Sequence, residues 1–341
     1  CTESPPRRGC KANEFFWFFF SKKRTASLTH VAIIGAGAWG TALALQAVRA
    51  GCRVTLWARR PGLLAGMENP RLPGHRLPEA ITITTEPPSA ALLLLAVPMQ
   101  HLRGVAARLP PGGALLACCK GVEAGSLALP LEVLAQACPG RAAGVLTGPN
   151  FAHEVAAGLP AAAVVAAGDA DLRALAIAAL ATPAFRLYGN DDPLGAQLGG
   201  AAKNVVAIAA GAVIGAGLGE NARAALITRG LAELARLVVA QGGRAETVMG
   251  LSGLGDLLLT CTGPASRNFS LGLALGRGGT LADILAERRS VTEGVATAPA
   301  LLARAAGVDL PICAAVAALL AGRTTLAQAM ADLLARPRRD E

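Results

Sequence analysis

The 341-residue sequence predicts an α/β fold in which a doubly wound parallel sheet is followed by an all-helical C-terminal domain. Short, wholly apolar runs alternate with helical patterns up to about residue 194, which is typical of a parallel sheet covered by helices on both faces. A glycine-rich turn follows the first apolar run. From about residue 195 onwards, the apolar residues recur at helical spacing and no convincing strand pattern is found.

The chain divides into three predicted segments. Residues 1–29 differ from the remainder, because the aromatic run "FFWFFF" at 15–20 is followed by the basic "SKKR". Six aromatic residues are too few for a signal-peptide core, and a membrane-spanning helix needs about 20 apolar residues. We therefore expect a disordered extension at 1–29, the sheet domain at 30–194 and the helical domain at 195–341. A membrane anchor at 15–20 is the less favoured alternative.

Charge and cysteine content narrow the functional class. Of the formal net charge of +9, residues 1–30 carry +4, from six basic and two acidic side chains. The remaining excess is spread as single arginines rather than as a basic stripe, so we expect anionic small molecules as partners and no nucleic acid. The eight cysteines form no CxxC pair, which argues against a disulfide framework or a metal site and favours reduced thiols in a cytoplasmic protein. Charges or glycines interrupt the later apolar runs, so no stable membrane insertion is expected.

The secondary-structure elements can be placed in order along the chain. A buried strand is predicted at 31–34, a helix at about 40–50 and a second strand at 53–58, which together make a βαβ unit of about 30 residues. Further strands are predicted at 91–98, 114–121, 142–149 and 161–168. In the helical domain, Asn221 is the predicted N-cap of a helix over 222–241.

The glycine turn has the pattern of a dinucleotide-binding site. "GAGAWG" at 35–40 fits G-x-G-x-x-G, directly follows a strand and opens a helix, which is the context that favours a binding site over a simple turn. Gly35 allows the tight turn, Gly37 lets the backbone approach a pyrophosphate, and Gly40 permits close packing of helix on strand. The helix N-terminus attracts the phosphates. The sequence therefore predicts a Rossmann-like domain.

The end of the second strand bears on the choice of cofactor. An NAD-selective site places Asp or Glu about 20 residues beyond the glycines. This chain has Arg59 and Arg60 at the end of that strand. A guanidinium can bind a 2′-phosphate in bidentate fashion, whereas a carboxylate would repel it. We therefore expect NADP(H) to be preferred, with NAD(H) as the second cofactor. Solvated surface arginines are the alternative interpretation.

Two lysines stand out, because the chain has 27 arginines but only 5 lysines, and beyond residue 30 only Lys120 and Lys203 remain. Lys120 follows an apolar strand on the ligand side of the sheet, and Lys203 lies in an apolar helical run at 197–217. A desolvated lysine is a candidate acid for protonating a carbonyl oxygen during hydride transfer. Asp256, after a Gly-x-Gly turn, could pair with Lys203. A lysine that only neutralises an internal carboxylate is the competing hypothesis.

A third group of polar residues, Ser266, Arg267 and Asn268, precedes a further helical pattern. An arginine with hydroxyl and amide donors at a helix start suits a phosphate or a carboxylate. The same residues are also compatible with a simple helix N-cap. In combination with two lysines and a dinucleotide turn, they indicate an anion site.

Together these residues resemble the bacterial NAD(P)-dependent glycerol-3-phosphate dehydrogenases of the soluble type. The resemblance runs from about residue 31 to 341 and rests on motifs in the same order: "IGAGAWGTALA", "CCKGVE", "TGPNFAHEVAAGLP", "QLGGAAKNVVAIAAG", "NARAALITRGLAE", "GLGDLLLTCTGPASRN" and "TEG". It implies an oxidoreductase that reversibly reduces dihydroxyacetone phosphate to sn-glycerol 3-phosphate for phospholipid synthesis. It also implies a cytoplasmic location and is compatible with a homodimer.

The resemblance implies roles for individual residues. Lys203 would donate and accept the proton, with Asp256 as its neighbour and Lys120 as a fixed positive charge. The remaining substrate contacts would be Gly148, Asn150, Ser266, Arg267 and Asn268. The cofactor contacts would be Gly35, Gly37, Ala38, Trp39, Gly40, Arg59, Arg60, Lys120, Ala152, Arg267, Val291 and Glu293.

Two positions depart from the family pattern. The family often has Ser or Thr where this chain has Asn150, whose amide can still donate a hydrogen bond. Ala38 stands where Ser is frequent and can contribute only its backbone. The extension at 1–29 has no counterpart in the family.

The residues leave two rival functions open. A β-hydroxyacid or ketopantoate-type NADP reductase shares the architecture and a helix lysine, but its substrate carries a carboxylate in place of a phosphate. A non-catalytic NADP(H)-sensing module would leave Lys120, Lys203 and Asp256 without a joint purpose.

Overall fold

The structure is a computed structural model that describes residues 29–59, 62–63, 66–288 and 291–337. Within these residues, a sheet domain with helices on both faces is followed by a domain of helices, so the predicted fold class is confirmed. Arg60 and residues 1–28 of the predicted extension at 1–29 lie outside the described residues.

The strands of the sheet domain belong to one large sheet and one small hairpin. They are β1 (His30–Ile34), β2 (Arg53–Trp57), β3 (Glu68–Asn69), β4 (Leu72–Arg76), β5 (Ile81–Thr84), β6 (Leu92–Leu95), β7 (Ala114–Ala117), β8 (Ala143–Thr147), β9 (Ala161–Ala166) and β10 (Phe185–Asn190). The large sheet has the order β10-β9-β8-β7-β6-β1-β2-β5, and β3 pairs with β4. Because β1 lies between β2 and β6, the strand order reverses beside it and creates the crevice in which such sheets bind ligands.

The sheet is not wholly parallel, which corrects the prediction. The strands from β1 to β8 in the large sheet pair in parallel, but β8 and β9 are antiparallel and β10 runs with β9. The helix between β8 and β9 has only six residues, Ala152–Ala157, and is therefore about 9 Å long. A five-residue strand is about 17 Å long, so this helix does not return the chain to the other edge of the sheet.

Four strands are absent from the sequence prediction. β3 and β4 form the separate hairpin, and β5 and β10 are edge strands of the large sheet. In β4 and β10 most residues are exposed or half-buried, so these segments contain no apolar run. Wholly apolar runs therefore mark the central strands of the sheet but not these exposed strands.

Helices cover both faces of the sheet. They are α1 (Ala38–Arg49), α2 (Leu102–Ala106), α3 (Pro130–Ala137), α4 (Ala152–Ala157) and α5 (Ala170–Leu180), with a 3₁₀ turn at Met99–His101. Alternate residues of β1 enter different cores, with Val31 and Ile33 on the side of α1 and Ala32 and Ile34 on the side of α2 and α3. Burial on both faces explains why β1 is apolar throughout.

The second domain is helical throughout the residues described after Asn190. Its helices are α6 (Pro193–Gly215), α7 (Gly219–Ala240), α8 (Ala245–Met249), α9 (Asp256–Cys261), α10 (Arg267–Gly276), α11 (Leu281–Glu287), α12 (Glu293–Ala305), α13 (Pro311–Leu320) and α14 (Leu326–Leu334). A π-helical turn at Leu251–Gly255 precedes α9. The predicted division at residue 195 falls in the first turn of α6 and stays a prediction.

The predicted N-cap at Asn221 is wrong. Helix α7 begins at Gly219, so Asn221 lies inside its first turn. Gly217 and Gly219 have φ values of +73° and +84°, which glycine adopts readily, and they turn the chain sharply out of α6. The turn is therefore completed two residues before the polar side chain.

Helix α6 is the centre of the second domain. Asp192 caps it by accepting a hydrogen bond from Gly195 N at 2.8 Å, and Pro193 occupies its first turn. The helix has a mean hydropathy of 1.5 over its most apolar window, enough by length and composition to cross a membrane, but 83% of that window is buried inside the protein. It is therefore packed as a core helix.

Glycines let α10 cross α6 at close range. A Cβ atom added to Gly211 of α6 would overlap the carbonyl oxygen of Phe269. A Cβ atom added to Gly272 of α10 would overlap the carbonyl oxygen of Ile208. Because both obstacles are backbone atoms, neither can move aside as a flexible side chain could.

We expect Gly272→Ala to lower the free energy of unfolding by about 1–3 kcal/mol, since overpacking forces the two helices apart. Gly104→Ala is the matched control, because Gly104 is exposed in α2 and its added Cβ would meet no atom within 4 Å. That control should be neutral or more stable by up to about 1 kcal/mol. Urea unfolding measures both, and equal midpoints for Gly272→Ala and wild type would contradict the crossing.

Candidate active site

The glycine turn has the geometry that its sequence predicts. Gly35 has φ +115°, and a Cβ atom there would lie 2.7 Å from the carbonyl oxygen of Ala96 on the neighbouring strand end. A Cβ atom on Gly40 would overlap the carbonyl oxygen of Gly35. Gly37 differs, because a Cβ atom there would have no protein atom within 4 Å. The space beside Gly37 is thus open for a ligand.

The first turn of α1 is suited to phosphate groups. Ala38 and Trp39 begin the helix, and no side chain caps it at Gly37. Its first N–H groups are therefore available to an anion, which the helix dipole also favours. Together with the open space beside Gly37, this end of β1 fits the pyrophosphate of a dinucleotide cofactor.

Only one of the two predicted 2′-phosphate residues can be placed. Arg59 is exposed just beyond the end of β2, at the same edge of the sheet as the glycine turn. Arg60 lies outside the described residues. Contact of either arginine with a 2′-phosphate stays a prediction.

Two lysines from different domains share one buried carboxylate. Lys203 Nζ lies 2.5 Å from Asp256 Oδ1, and Lys120 Nζ lies 2.5 Å from Asp256 Oδ2. Lys203 also donates to Thr260 Oγ1 at 2.7 Å, and Lys120 donates to the carbonyl oxygen of Gly148 at 3.2 Å. The pairing that the sequence suggested for Lys203 and Asp256 is therefore present, with Lys120 on the second oxygen.

Three separate elements bring this cluster together. Lys120 lies in the loop after β7, Lys203 in the middle of α6, and Asp256 at the start of α9 directly after the π-helical turn. π-Helical turns occur frequently at functional sites. Gly200 of α6 lies against the side chain of Lys120, where an added Cβ atom would be 3.4 Å from Lys120 Cγ. The small residues before Lys203 thus allow α6 to approach the sheet domain.

Burial changes the acidity of Lys203. Loss of solvent lowers the pKa of Lys203 from 10.5 to about 8; Asp256 raises it in part, and Lys120 lowers it further. A group with a pKa near the working pH can both donate and accept a proton. A pKa of about 8 is compatible with the predicted role of Lys203 as proton donor and acceptor, which stays a prediction.

The two ammonium groups of the cluster retain hydrogen-bond donors. Each has three N–H donors. Lys203 uses one on Asp256 and one on Thr260, and Lys120 uses one on Asp256 and one on Gly148. One donor of each lysine is therefore left for a ligand. With both lysines protonated and Asp256 ionised, the cluster carries one net positive charge.

Asn150 lies beside this cluster but is tied to the sheet. Its Nδ2 donates to the carbonyl oxygen of Ala162 at 3.1 Å, whereas its buried Oδ1 has no partner among the described residues. One of its two N–H donors is thus used within the sheet. Substrate contact of Gly148 and Asn150 stays a prediction.

The three polar residues at the start of α10 make different contacts. Ser266 is the N-cap of α10 and accepts from Phe269 N at 3.2 Å, so the simple capping interpretation holds for it. Asn268 is buried and joins two helices, donating to Asn204 Oδ1 at 2.9 Å and accepting from Gly294 N at 3.0 Å. Arg267 is exposed, with no hydrogen bond from its guanidinium to any described residue. Arg267 is the member of this group most available to an anion.

The remaining predicted cofactor residues lie at helix starts or in a loop. Ala152 begins α4, Glu293 begins α12, and Val291 is exposed just before it. Glu293 Oε1 accepts from Met99 N at 3.4 Å, and its buried Oε2 has no partner among the described residues. Burial raises the pKa of Glu293 to about 6, against the opposing effects of the Met99 N–H and Arg267. An unpartnered carboxylate oxygen here could accept from a ligand amide.

Two residues of the site were missed by sequence reasoning. Thr260 bonds Lys203, and its signal was available, because it lies four residues after Asp256 on the same helix. Asn204 follows Lys203 and holds Asn268 in place. Its amide gives no sequence signal that distinguishes it from a helix-surface residue.

The fold and the site define a class: an NAD(P)-dependent oxidoreductase with a sheet domain and a helical domain, and with a buried lysine on the first helix of the second domain. Comparison of the sequence with models of known protein families identifies the family within this class. Residues 30–173 match the N-terminal part, and residues 192–331 the C-terminal part, of NAD-dependent glycerol-3-phosphate dehydrogenase. The chain belongs to this family.

Individual relatives agree with this family. The glycerol-3-phosphate dehydrogenase [NAD(P)+] of Acidiphilium cryptum is 59% identical over 317 residues, covering 91% of this chain and 98% of the relative. The enzyme of the same name from Gluconobacter oxydans is 55% identical over 315 residues, covering 90% and 97%. The crystal structure of glycerol-3-phosphate dehydrogenase from Coxiella burnetii superposes with a TM-score of 0.86 at 36% identity and covers 91% of this chain and 99% of that chain.

We expect Gly37→Ala to fold normally but to bind NADPH at least about tenfold more weakly, because its methyl group would occupy the space left for the pyrophosphate. Gly168→Ala is the matched control, since Gly168 also has open space around it. It follows β9, which runs antiparallel to β8, so it lies at the other end of the strands from the glycine turn. Fluorescence titration with NADPH measures the Kd of each variant. A wild-type Kd for Gly37→Ala would show that the cofactor does not lie against this glycine.

Proposed function

We propose that this chain catalyses the reversible reduction of dihydroxyacetone phosphate to sn-glycerol 3-phosphate with NADPH or NADH. The observation that carries the proposal is the buried Asp256 carboxylate held between Lys120 and Lys203 at the domain boundary. The names of the relatives and the match to both parts of the family support the same reaction.

Proton transfer is assigned to Lys203. A bound nicotinamide would supply the hydride for the carbonyl carbon of the substrate. The carbonyl oxygen then gains a negative charge and takes the free proton of Lys203 Nζ, which leaves a neutral amine. Asp256 and Thr260 hold Nζ in place for this step, since both lie within 2.7 Å of it. In the reverse direction the neutral amine removes the same proton.

Lys120 supplies electrostatic stabilisation. Its ammonium group approaches the same carboxylate from the sheet domain, so the cluster presents one net positive charge to the developing alkoxide. In a site with little water such a fixed charge stabilises the transition state more than it would in bulk solvent. Because Lys120 also binds the carbonyl of Gly148, its position depends on the loop after β8.

Recognition of the substrate phosphate is assigned to the start of α10. The exposed guanidinium of Arg267 and the helix N-terminus both attract an anion. Asn268 retains one free N–H donor, because its other polar contacts go to Asn204 and Gly294. Holding the phosphate fixes the carbonyl relative to the nicotinamide, which is the positioning contribution to catalysis.

Further features belong to the same proposal. We propose NADP(H) as the preferred cofactor, on the basis of the exposed Arg59 at the end of β2. A cytoplasmic location, a homodimer and a role in phospholipid synthesis follow from the resemblance to the family. A ketopantoate-type reductase is not favoured, because both parts of the chain match the glycerol-3-phosphate dehydrogenase family.

We expect protein starting near residue 29 to oxidise NADPH with dihydroxyacetone phosphate and not with ketopantoate. Lys203→Met should reduce turnover by about 100-fold or more, the size of a lost general acid. It should leave the Kd for NADPH nearly unchanged, since Lys120 still pairs with Asp256. Absorbance at the nicotinamide band follows turnover, and fluorescence gives the Kd. Near-normal turnover in Lys203→Met would exclude the assigned role, and no oxidation by wild type would exclude the reaction.

We expect the two directions of the reaction to depend oppositely on pH. Reduction requires protonated Lys203, so its rate should fall as pH rises through about 8, whereas oxidation of glycerol 3-phosphate should rise over the same range. Asp256→Asn removes the negative charge that raises the pKa of Lys203. The fall in reduction should then move to lower pH, together with a loss of turnover. Profiles of kcat against pH in both directions check this, and an unshifted profile in Asp256→Asn would contradict the pairing.

A further inference from the structure

The loop that follows Lys120 is fixed to both domains. Residues 121–129 continue from the sheet domain, yet Val122 and Leu129 are fully buried in the apolar core of the helical domain. This core also contains Leu198 of α6, a few residues before Lys203. Lys120 therefore lies at the start of a segment whose position depends on how the two domains meet.

The sheet domain holds this loop through side chains that follow β6. Gln100 donates to the carbonyl oxygen of Val122 at 2.9 Å and accepts from Ala124 N at 2.9 Å. Arg103 forms a two-pronged ion pair with Glu123, with its closest contact at 2.7 Å. These contacts fix the near half of the loop to the domain that carries Lys120.

Besides the burial of Leu129, the far half of the loop is held by a hydrogen bond from one arginine of the helical domain. Arg304, in the last turn of α12, donates from Nη1 to the carbonyl oxygen of Leu127 at 2.9 Å. The same guanidinium binds both carboxylate oxygens of Glu132 on α3, at 2.7 and 2.8 Å. Glu132 in turn accepts from Leu129 N at 2.7 Å. Leu127 has φ +60°, a left-handed conformation that leucine rarely adopts, so the bond to its carbonyl helps to retain it.

Helix α12 contacts the sheet domain at its start, one turn later and at its end. At its start Glu293 accepts from Met99 N, and one turn later Thr297 lies against Gly121, where an added Cβ atom would be 2.8 Å from Thr297 Oγ1. At its end lies Arg304, whose bonds to Glu132 are charge-assisted and bidentate and are therefore the strongest of the three contacts. No other contact of α12 fixes the far half of the loop by an ion pair within the described residues.

We propose that Arg304 is a positioning residue for catalysis: by holding Leu127 and Glu132 it fixes the Lys120 loop against the helical domain and so sets Lys120 relative to Asp256 and Lys203. The inference rests on the proposed reductase activity. Arg304 makes no hydrogen bond to Lys120, Asp256 or Lys203, so it acts through the loop alone.

Displacement of the Lys120 loop should change both the rate of reduction and its pH profile. A displacement of about 1 Å at a reacting group can cost up to about 100-fold in rate. The charged or ionisable groups facing Lys203 are Asp256, Lys120 and the Cys261 thiol. If Lys120 moves away, Lys203 loses a positive neighbour and no longer shares Asp256. Its proton is then held more tightly, so the basic limb of the reduction profile should move to higher pH.

The test compares Arg304→Gln with wild type at saturating NADPH. We expect kcat to fall about tenfold or more, the KM for dihydroxyacetone phosphate to rise, and the basic limb to move upward in pH. Arg304→Lys keeps the charge but not the bidentate geometry, so its kcat should lie between those of wild type and Arg304→Gln. Glu132→Gln keeps an acceptor for Leu129 N and should reproduce the loss. The double variant should be no worse than Arg304→Gln alone, because both changes break the same contact.

Arg336→Gln is the matched control. Arg336 pairs with Asp309 at 2.6 Å wholly within the helical domain, so its loss should leave kcat, KM and the pH profile unchanged. Thermal unfolding of each variant separates stability from positioning. Wild-type kcat and pH profile in Arg304→Gln would overturn the inference, whatever its Tm, while the reductase activity itself would stand. A wild-type chain that fails to reduce dihydroxyacetone phosphate would overturn both.

Discussion

The carboxylate of Asp256 is the constraint on which the arrangement of this protein depends. It is almost fully buried, and each oxygen is paired with a lysine from a different domain. Removing either lysine would leave an ionised group in the interior with less compensation, which is costly in a low-dielectric environment. The two domains therefore cannot separate without exposing or unpairing this charge. The same contact that joins them also lowers the number of positions that Lys120 and Lys203 can adopt.

Close packing makes this contact geometrically feasible. Helix α6 must reach the sheet domain on one side and α10 on the other, and glycines on both sides remove the side chains that would keep them apart. Gly200 faces the stem of Lys120, whereas Gly211 faces the backbone of α10. Lys203 lies between these two positions. A larger residue on either side would thus alter the site indirectly, by moving the helix that carries its lysine.

Sequence reasoning predicts the parts of this protein that depend on local pattern. The buried strands and the glycine turn follow from apolar runs and from backbone requirements at Gly35 and Gly40, which few other sequences satisfy. The pairing of Lys203 with Asp256 followed from the scarcity of lysines and from the position of Asp256 after a Gly-x-Gly turn. The reversed strands β9 and β10 were not predictable in this way, because direction depends on how far α4 can carry the chain. The link from Arg304 to Glu132 spans 172 residues and has no local signal.

Helix α6 also has a consequence for the newly made chain. Its 23 residues have the length and hydropathy of a segment that could enter a lipid bilayer, and its packing partners α10 and α12 are synthesised after it. Lys203 lies at the midpoint of this helix, where a lysine opposes membrane insertion by about 3 kcal/mol. The side chain assigned to proton transfer therefore also disfavours membrane insertion of this segment before α10 and α12 have been synthesised. Replacing it with an apolar residue would remove an acid and, at the same time, a barrier to mistargeting.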